Sequence, residues 1–297
     1  MLVTGGTGFV GSRLVEALLD GGHHPIVLSR KPGCAVVPGK VWTVGDLDTI
    51  PGDARIDAIV NLAGEPIANG LWTAAKRQRI IASRISMIEA CQKLAQRLVV
   101  PPQVFITASA IGWYGIRGDE ALDETSDGAD CFSREVCLAI EQAAQRVEAT
   151  GLRTVCLRIG LVLDRAGGML GRMLTPFRLG LGGPFGTGQH WMSWVHRDDL
   201  IRLIAHCIAR PDISGPVNGT APEPVRNREF TRSLGKALHR PAFIPVPVLP
   251  LKLALGQFAE ELLLGGQRVL PRKAEQSGFA FHYPALDGAL TAILPRR

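Results

Sequence analysis

Val3-Thr4-Gly5-Gly6-Thr7-Gly8-Phe9-Val10-Gly11 is the stretch on which the fold turns. An apolar strand over residues 1–4 runs into glycines spaced G-x-G-x-x-G at Gly6, Gly8 and Gly11, and a helix opens directly behind them. Val10, Leu14 and Leu18 fall one per turn on a single face of that helix, and Gly21-Gly22 stops it. In this setting each glycine has a task. Gly5 and Gly6 permit the tight turn, Gly8 lets backbone approach a pyrophosphate, and Gly11 lets helix and strand pack closely while the helix N-terminus faces the phosphates. Gly5, Thr7, Gly8, Phe9, Val10 and Gly11 are the expected ligand contacts of this loop.

Outward from the loop, short β-branched segments alternate with helical patterns, the signature of βαβ units on a parallel sheet. Strands are expected at residues 1–4, 26–29, 41–44, 58–62, 104–108 and 154–157, and helices near 73–96, 132–150 and 198–209. The fold class is therefore α/β, a Rossmann doubly wound parallel sheet over residues 1–166 with a smaller C-terminal substrate lobe over 167–297. Later segments are free to complete the sheet. After Gly167 the texture changes to loops such as Gly180-Leu181-Gly182-Gly183-Pro184 and Pro245-Val246-Pro247-Val248-Leu249-Pro250, which suit a ligand-covering lobe.

The end of the second strand selects the nucleotide. A site for NAD usually places Asp or Glu there to hold the ribose 2′-hydroxyl. Here the residues are Ser29-Arg30-Lys31. A carboxylate would repel a 2′-phosphate, whereas the Arg30 guanidinium can grip it, so NADP(H) is the expected cofactor; the alternative for Arg30 is a solvated loop charge. Asp46 follows the third strand, either beside the adenine or as a turn residue. Asn61-Leu62-Ala63-Gly64 ends the fourth strand at the carboxyl edge, where Leu62, Ala63 and Gly64 would flank the ligand.

Composition narrows the rest. The 297 residues carry a net charge of +6, but Lys and Arg are dispersed and form no nucleic-acid arm. Mean hydropathy is slightly positive, yet no apolar run reaches the roughly 18 to 20 residues of a spanning helix, so no membrane partner is expected. The six cysteines are scattered with no C-x-x-C pair and no spacing that suits zinc, and they read as reduced thiols of a cytoplasmic protein. Met1 leads straight into the motif, leaving no room for an export signal. A small-molecule substrate is expected, with a monomer or a homodimer both open.

Thr4-Gly-Gly-Thr-Gly-Phe-Val-Gly11 with Asn61-Leu-Ala-Gly64 resembles the extended short-chain dehydrogenase/reductase superfamily, in its NAD-dependent epimerase/dehydratase branch. Nearly the whole chain is similar to the atypical epimerase-family proteins of the cell-division-inhibitor-homologue type. The likeness runs through Ser109-Ala-Ile-Gly-Trp-Tyr-Gly115, Arg158-Ile-Gly-Leu-Val-Leu163, Phe177-Arg-Leu-Gly-Leu-Gly-Gly183 and Trp194-Val-His-Arg-Asp-Asp-Leu200. It continues into a characteristic C-terminal module at Asn218-Gly-Thr-Ala-Pro222, Arg240-Pro241 and Gly278-Phe279. The resemblance implies an NADP(H)-dependent oxidoreductase or epimerase-like enzyme, with Arg158 on the cofactor side of the site.

One element of that resemblance fails. The superfamily's Tyr-x-x-x-Lys pair lies on one helix face, where the ammonium lowers the phenol's pKa. The only tyrosines here are Tyr114 and Tyr283, followed four residues on by Gly118 and Asp287, and the pair's expected places fall near Phe132 and Val136. Ser109 matches the superfamily serine that bonds a substrate oxygen. Tyr114 is nominated as the substitute proton donor, against a packing role, with Glu141 as a second candidate. Gln189, Trp191 and Trp194 would line a substrate wall, or the tryptophans would pin their loop to the core. His196 faces the cleft or is a structural histidine, and Asp198 caps the following helix. A non-catalytic NADP(H) sensor is the competing reading, favoured by the missing pair.

Overall fold

The computed structural model describes residues 1–30, 41–68 and 70–294. Seven short strands make its central sheet: β1 (Leu2–Thr4), β2 (Ile26–Leu28), β3 (Trp42–Val44), β4 (Ala58–Asn61), β5 (Val104–Ala110), β6 (Thr154–Ile159) and β7 (Gly215–Gly219). Every pairing is parallel, and the strand order is β7-β6-β5-β4-β1-β2-β3. The order reverses between β1 and β4, the switch point outside which an open α/β sheet leaves a crevice. Both faces of the sheet are covered, so its strands are apolar on both sides instead of alternating with polar residues.

The pleat divides neighbouring residues between two cores. Leu2, Ile59 and Phe105 point to a layer formed by α2 (Ala74–Arg97) and α3 (Phe132–Glu148), while Val3, Val60 and Ile106 point to α1 (Phe9–Asp20) and α5 (Arg197–Ala209). The register aligns Thr4, Asn61 and Thr107 across three strands. Thr4 Oγ1 donates to Asn61 Oδ1 (2.6 Å) and Asn61 Nδ2 donates to Thr107 Oγ1 (3.1 Å), a buried polar lace beneath the crevice.

Residues beyond Gly167 both finish the sheet and cover it. β7 and α5 belong to the Rossmann layer system. A third apolar cluster joins α4 (Gly168–Arg178), α6 (Asn227–Leu238) and the helix Leu286–Ile293 around Trp194 and Phe230. At the start of α5 the cap differs from expectation: His196 Nδ1 accepts from the Asp198 N–H (3.1 Å), while Asp198 ion-pairs with Arg13 of α1 at 2.8 Å. His196 stacks on Tyr283 at 4.0 Å between ring centres, which gives it a structural place away from the crevice. Among the described residues no helix is long and apolar enough to cross a membrane.

Candidate active site

The loop from β1 to α1 is built so tightly that only glycine fits at two points. Gly5 has φ +69°, and a Cβ there would lie 2.8 Å from the Leu62 carbonyl carbon. A Cβ on Gly11 would lie 2.2 Å from the Gly5 oxygen. The Gly8 N–H closes the turn on the Gly5 carbonyl (2.9 Å), and α1 then begins with no side-chain cap and no acid in its first turn. Its leading N–H groups are left for an anion, the arrangement a pyrophosphate requires.

Around the loop, Leu62, Ala63 and Gly64 continue β4 along its flank, as the Gly5–Leu62 approach shows. Ser29 is buried and its N–H is bonded to Val44, with Arg30 exposed just beyond it. Lys31, the third member of that basic step, lies outside the described residues. Asp46 takes the turn role: one carboxylate oxygen accepts from the Asp48 N–H (3.0 Å) and caps the turn Leu47–Thr49.

A cavity of about 510 Å³ opens at the carboxyl edge of the sheet, bounded by β4, β5, α3 and the segment 258–267. Ser109, at the end of β5, is on its wall; Tyr114 and Arg158 are not. They form the layer behind Ser109. Ser109 Oγ donates to Glu141 Oε1 (2.9 Å), and Arg158 holds the same carboxylate through Nε (2.9 Å) and Nη2 (2.8 Å). Arg158 Nη1 donates to Tyr114 Oη (3.1 Å), whose own proton goes to Asn218 Oδ1 (2.7 Å). Burial pushes the Tyr114 phenol up to about 12, more than Arg158 and Asn218 pull it down. Burial would lower Arg158, but its bonds and attraction to Glu141, and Tyr114 after them, offset that and raise it. Glu141, the second candidate proton donor, is thus a buried partner that orients Ser109.

The helix face expected to carry a proton-transfer pair is displaced by one residue. Phe132 turns into the core, edge-on to Trp72 at 4.8 Å. Val136 reaches the cavity, and so do Ser133 and Cys137, one turn apart. Burial holds the Cys137 thiol up at about 11, so it stays neutral and does not replace an ammonium. Ser133 Oγ donates to Glu261 Oε2 at 2.6 Å, and the same carboxylate accepts the N–H groups of Phe132 (3.1 Å) and Ser133 (2.8 Å) at the start of α3. Glu261 is itself on the cavity wall. Two buried serine–glutamate pairs therefore meet the cavity, Ser109–Glu141 and Ser133–Glu261.

The expected substrate wall is not brought together as a unit. Trp191 lines the cavity, with its indole N–H on Asp119 (2.9 Å) and the Arg226 and Arg268 guanidiniums over its ring at 4.1 and 5.0 Å. Gln189 is exposed and off the wall. Trp194 is fully buried in the third apolar cluster, its N–H on the Glu223 carbonyl (2.9 Å), as the packing alternative required.

A glycine-only loop at the switch point of a parallel sheet, with a cavity at the sheet's carboxyl edge, defines an α/β protein of the Rossmann class. Residues 1–218 match the family described as the NAD dependent epimerase/dehydratase family, and residues 246–293 match a domain of unknown function, DUF1731. The chain belongs to the NAD dependent epimerase/dehydratase family. It is 38% identical to the epimerase family protein SDR39U1 of Bos taurus, covering 99% of each chain, and 37% identical to the epimerase family protein YfhF of Bacillus subtilis, covering 99% of this chain and 98% of that one. The crystal structure of human SDR39U1 (isoform 2) with NADPH superposes with a TM-score of 0.90 at 36% identity, over 100% of this chain and 99% of that chain.

Proposed function

We propose that the protein is an NADP(H)-dependent oxidoreductase or epimerase-like enzyme acting on a small molecule in the cavity at the carboxyl edge. The observation that carries this is the pair of buried serine–glutamate couples whose serines stand on the wall of one cavity, a cavity also lined by Leu62 and Ala63, which pack on the glycine loop. A protein that only sensed a nucleotide would have no use for hydroxyls backed by carboxylates at that spot. The loop fits the cofactor on its own geometry: Gly5, Gly8 and Gly11 leave the space, the uncapped N-terminus of α1 would take the pyrophosphate, and Arg30, exposed just beyond β2, would answer a 2′-phosphate. The NADPH in the human relative supports the same choice. Once bound, the nicotinamide supplies hydride exchange.

The chain's own groups do the rest. Ser109 gives its proton to Glu141, which leaves its oxygen lone pairs for a substrate hydroxyl. As that hydroxyl is oxidised, Ser109 takes its proton while its own passes to Glu141, and the reverse order serves reduction. Ser133 and Glu261 offer a second such path from the start of α3. Tyr114 acts behind Ser109 through Arg158 and does not touch the cavity. The test is turnover of NADPH and NADP⁺ with a panel of carbonyls, alcohols and nucleotide sugars, for the unaltered protein and Ser109→Ala. Turnover that Ser109→Ala removes, with NADPH affinity retained, is the expected result. A saturated protein with no turnover on any of the panel supports the sensor instead.

A further inference from the structure

Six large apolar side chains stand exposed on two segments, Leu179 and Leu181 on one, Phe243, Ile244, Leu249 and Leu253 on the other, with Phe243 76% and Leu253 80% exposed. The segments run side by side. The Ile244 N–H donates to the Gly182 carbonyl (3.3 Å), the Val246 N–H to that of Pro184 (2.8 Å), and the Gly186 N–H back to Val246 (3.0 Å). Arg240 Nε adds a bond to the Arg178 carbonyl (3.0 Å). From there the chain enters α7 (Val248–Leu255), which Gly256 ends at φ +53°. Val248, Leu251 and Leu255 are half-buried along one side of α7, whereas Leu249 and Leu253, one turn apart, stand clear of the body with Lys252 beside them. A single exposed leucine is ordinary, but six gathered on two joined segments mark a surface that another body covers.

The charge around this patch has one sign. No acid occurs between Asp164 and Asp198 or between Glu229 and Glu260, while those two stretches hold eight cations in a chain whose net charge is +6. Arg178, Arg240 and Lys252 are exposed beside the apolar side chains. Among the described residues no carboxylate pairs with Arg178 or Arg240. Lys252 meets Glu260 at 2.9 Å in an exposed pair of little strength. A second copy of the chain, joined about a two-fold axis, would set these cations against themselves. A protein partner would also seek hydrogen-bonding groups, roughly one per 100–200 Å² of interface, and none of the six side chains has one. Hydrocarbon flanked by cations suits a bilayer with anionic headgroups, where Leu and Phe enter the acyl boundary and Arg and Lys reach back to the phosphates. Among the described residues no helix can cross a membrane, but lying on one needs only such a face. We infer that the face made by residues 178–181, 240–244 and α7 docks peripherally on an anionic lipid surface. It does so whether or not the cavity carries the chemistry proposed above.

The experiment sediments the unaltered chain with vesicles of phosphatidylcholine alone and of phosphatidylcholine mixed equally with phosphatidylglycerol. Binding to the mixed vesicles is expected to be at least about tenfold tighter, because several cations act together at an anionic surface, and to weaken as salt is added. Leu249→Ser/Leu253→Ser should weaken that binding by at least about tenfold, since it removes the hydrocarbon that enters the bilayer. Val99→Ser, a residue 79% exposed outside these segments, should leave it unchanged. Arg178→Gln/Arg240→Gln should reduce the preference for the mixed vesicles at least about fivefold. Melting temperatures check that the variants fold, and Phe243→Ser repeats the apolar test from outside α7 should the leucine variant melt early. No sedimentation with the mixed vesicles, equal binding to both compositions, or binding untouched by the leucine, phenylalanine and arginine substitutions overturns the inference. Sedimentation equilibrium without lipid tests the other occupant. A dimer that Leu249→Ser/Leu253→Ser dissolves would mean that a second copy covers the face, and the lipid assignment falls.

Discussion

Replacing Arg158 by methionine keeps the length of the side chain and removes its charge, in a place where the charge matters most. The side chains of Arg158 and Glu141 are 3% and 8% exposed, and two hydrogen bonds of 2.9 and 2.8 Å join them. In Arg158→Met the Glu141 carboxylate keeps only the Ser109 hydroxyl, and breaking one side of a buried pair typically costs about 3–5 kcal/mol. The guanidinium also stacks over Trp113 at 4.1 Å, worth about 1 kcal/mol more. The expected loss is thus about 4–6 kcal/mol, a large share of the roughly 5–15 kcal/mol that keeps a domain folded. Glu141→Leu should cost a similar amount, since it strands the guanidinium. The double variant Arg158→Met/Glu141→Leu leaves no unpaired charge, so it should be more stable than either single variant, with a coupling of about 3 kcal/mol or more. Urea unfolding of the four proteins gives all three numbers. A loss under about 1 kcal/mol for Arg158→Met, or a double variant as unstable as the sum of the singles, would refute the claim that the two residues act as one unit.

Arg30→Ala should weaken NADPH by about 1.5–3 kcal/mol and leave NADH unchanged, measured by cofactor fluorescence; equal affinity of the unaltered protein for the two cofactors removes the basis for it. Gly11→Ala places a methyl 2.2 Å from the Gly5 oxygen, so the loop must open; NADPH affinity should fall by about 1–3 kcal/mol, and an unchanged Kd would contradict the tight cradle. Stability should also fall in alkali. Burial raises Cys91 and Cys207 to about 12 and Cys137 to about 11, from an ordinary 9.0, and Tyr114 to about 12 from 10.0. These groups are neutral when protonated, so their contribution is complete below pH 9.0 and is lost as the pH rises through 11 and 12. A urea midpoint that stays flat from pH 9 to pH 12 would refute this.

Much of the fold was legible because its signals are local. The glycine spacing, the one-per-turn apolar face of α1 and the β-branched runs each depend on a few adjacent residues, and the structure places β1, β4, β5 and β6 where those runs are. β7 was less legible. Gly215-Pro216-Val217-Asn218-Gly219 has two glycines, a proline and a single β-branched residue, and it joins the sheet because β6 offers it a free edge. The phosphate loop could be read for the same local reason. The network behind Ser109 could not, because Glu141, Arg158, Tyr114 and Asn218 come from four separate segments and nothing in any one of them announces the others.

The same limit explains the helix that opens at Phe132. Counting from Ser109 fixes a distance along the chain but not the phase of the helix, and an error of one residue turns a helix by about 100°. That rotation is the difference between Phe132 and Val136, apolar side chains that suggested an empty site, and Ser133 and Cys137, which bring a hydroxyl and a thiol to the cavity beside Val136. Phase is set here by Phe132, which packs against Trp72, and by Glu261, which arrives from 128 residues away to hold the first N–H groups of α3. Glu261 lies within the C-terminal module, and no spacing motif marks it. The module therefore does more than cover the Rossmann layer. It fixes how the site-bearing helix is turned and brings a carboxylate to the hydroxyl that this turn exposes, so the cavity is complete only when both ends of the chain have met.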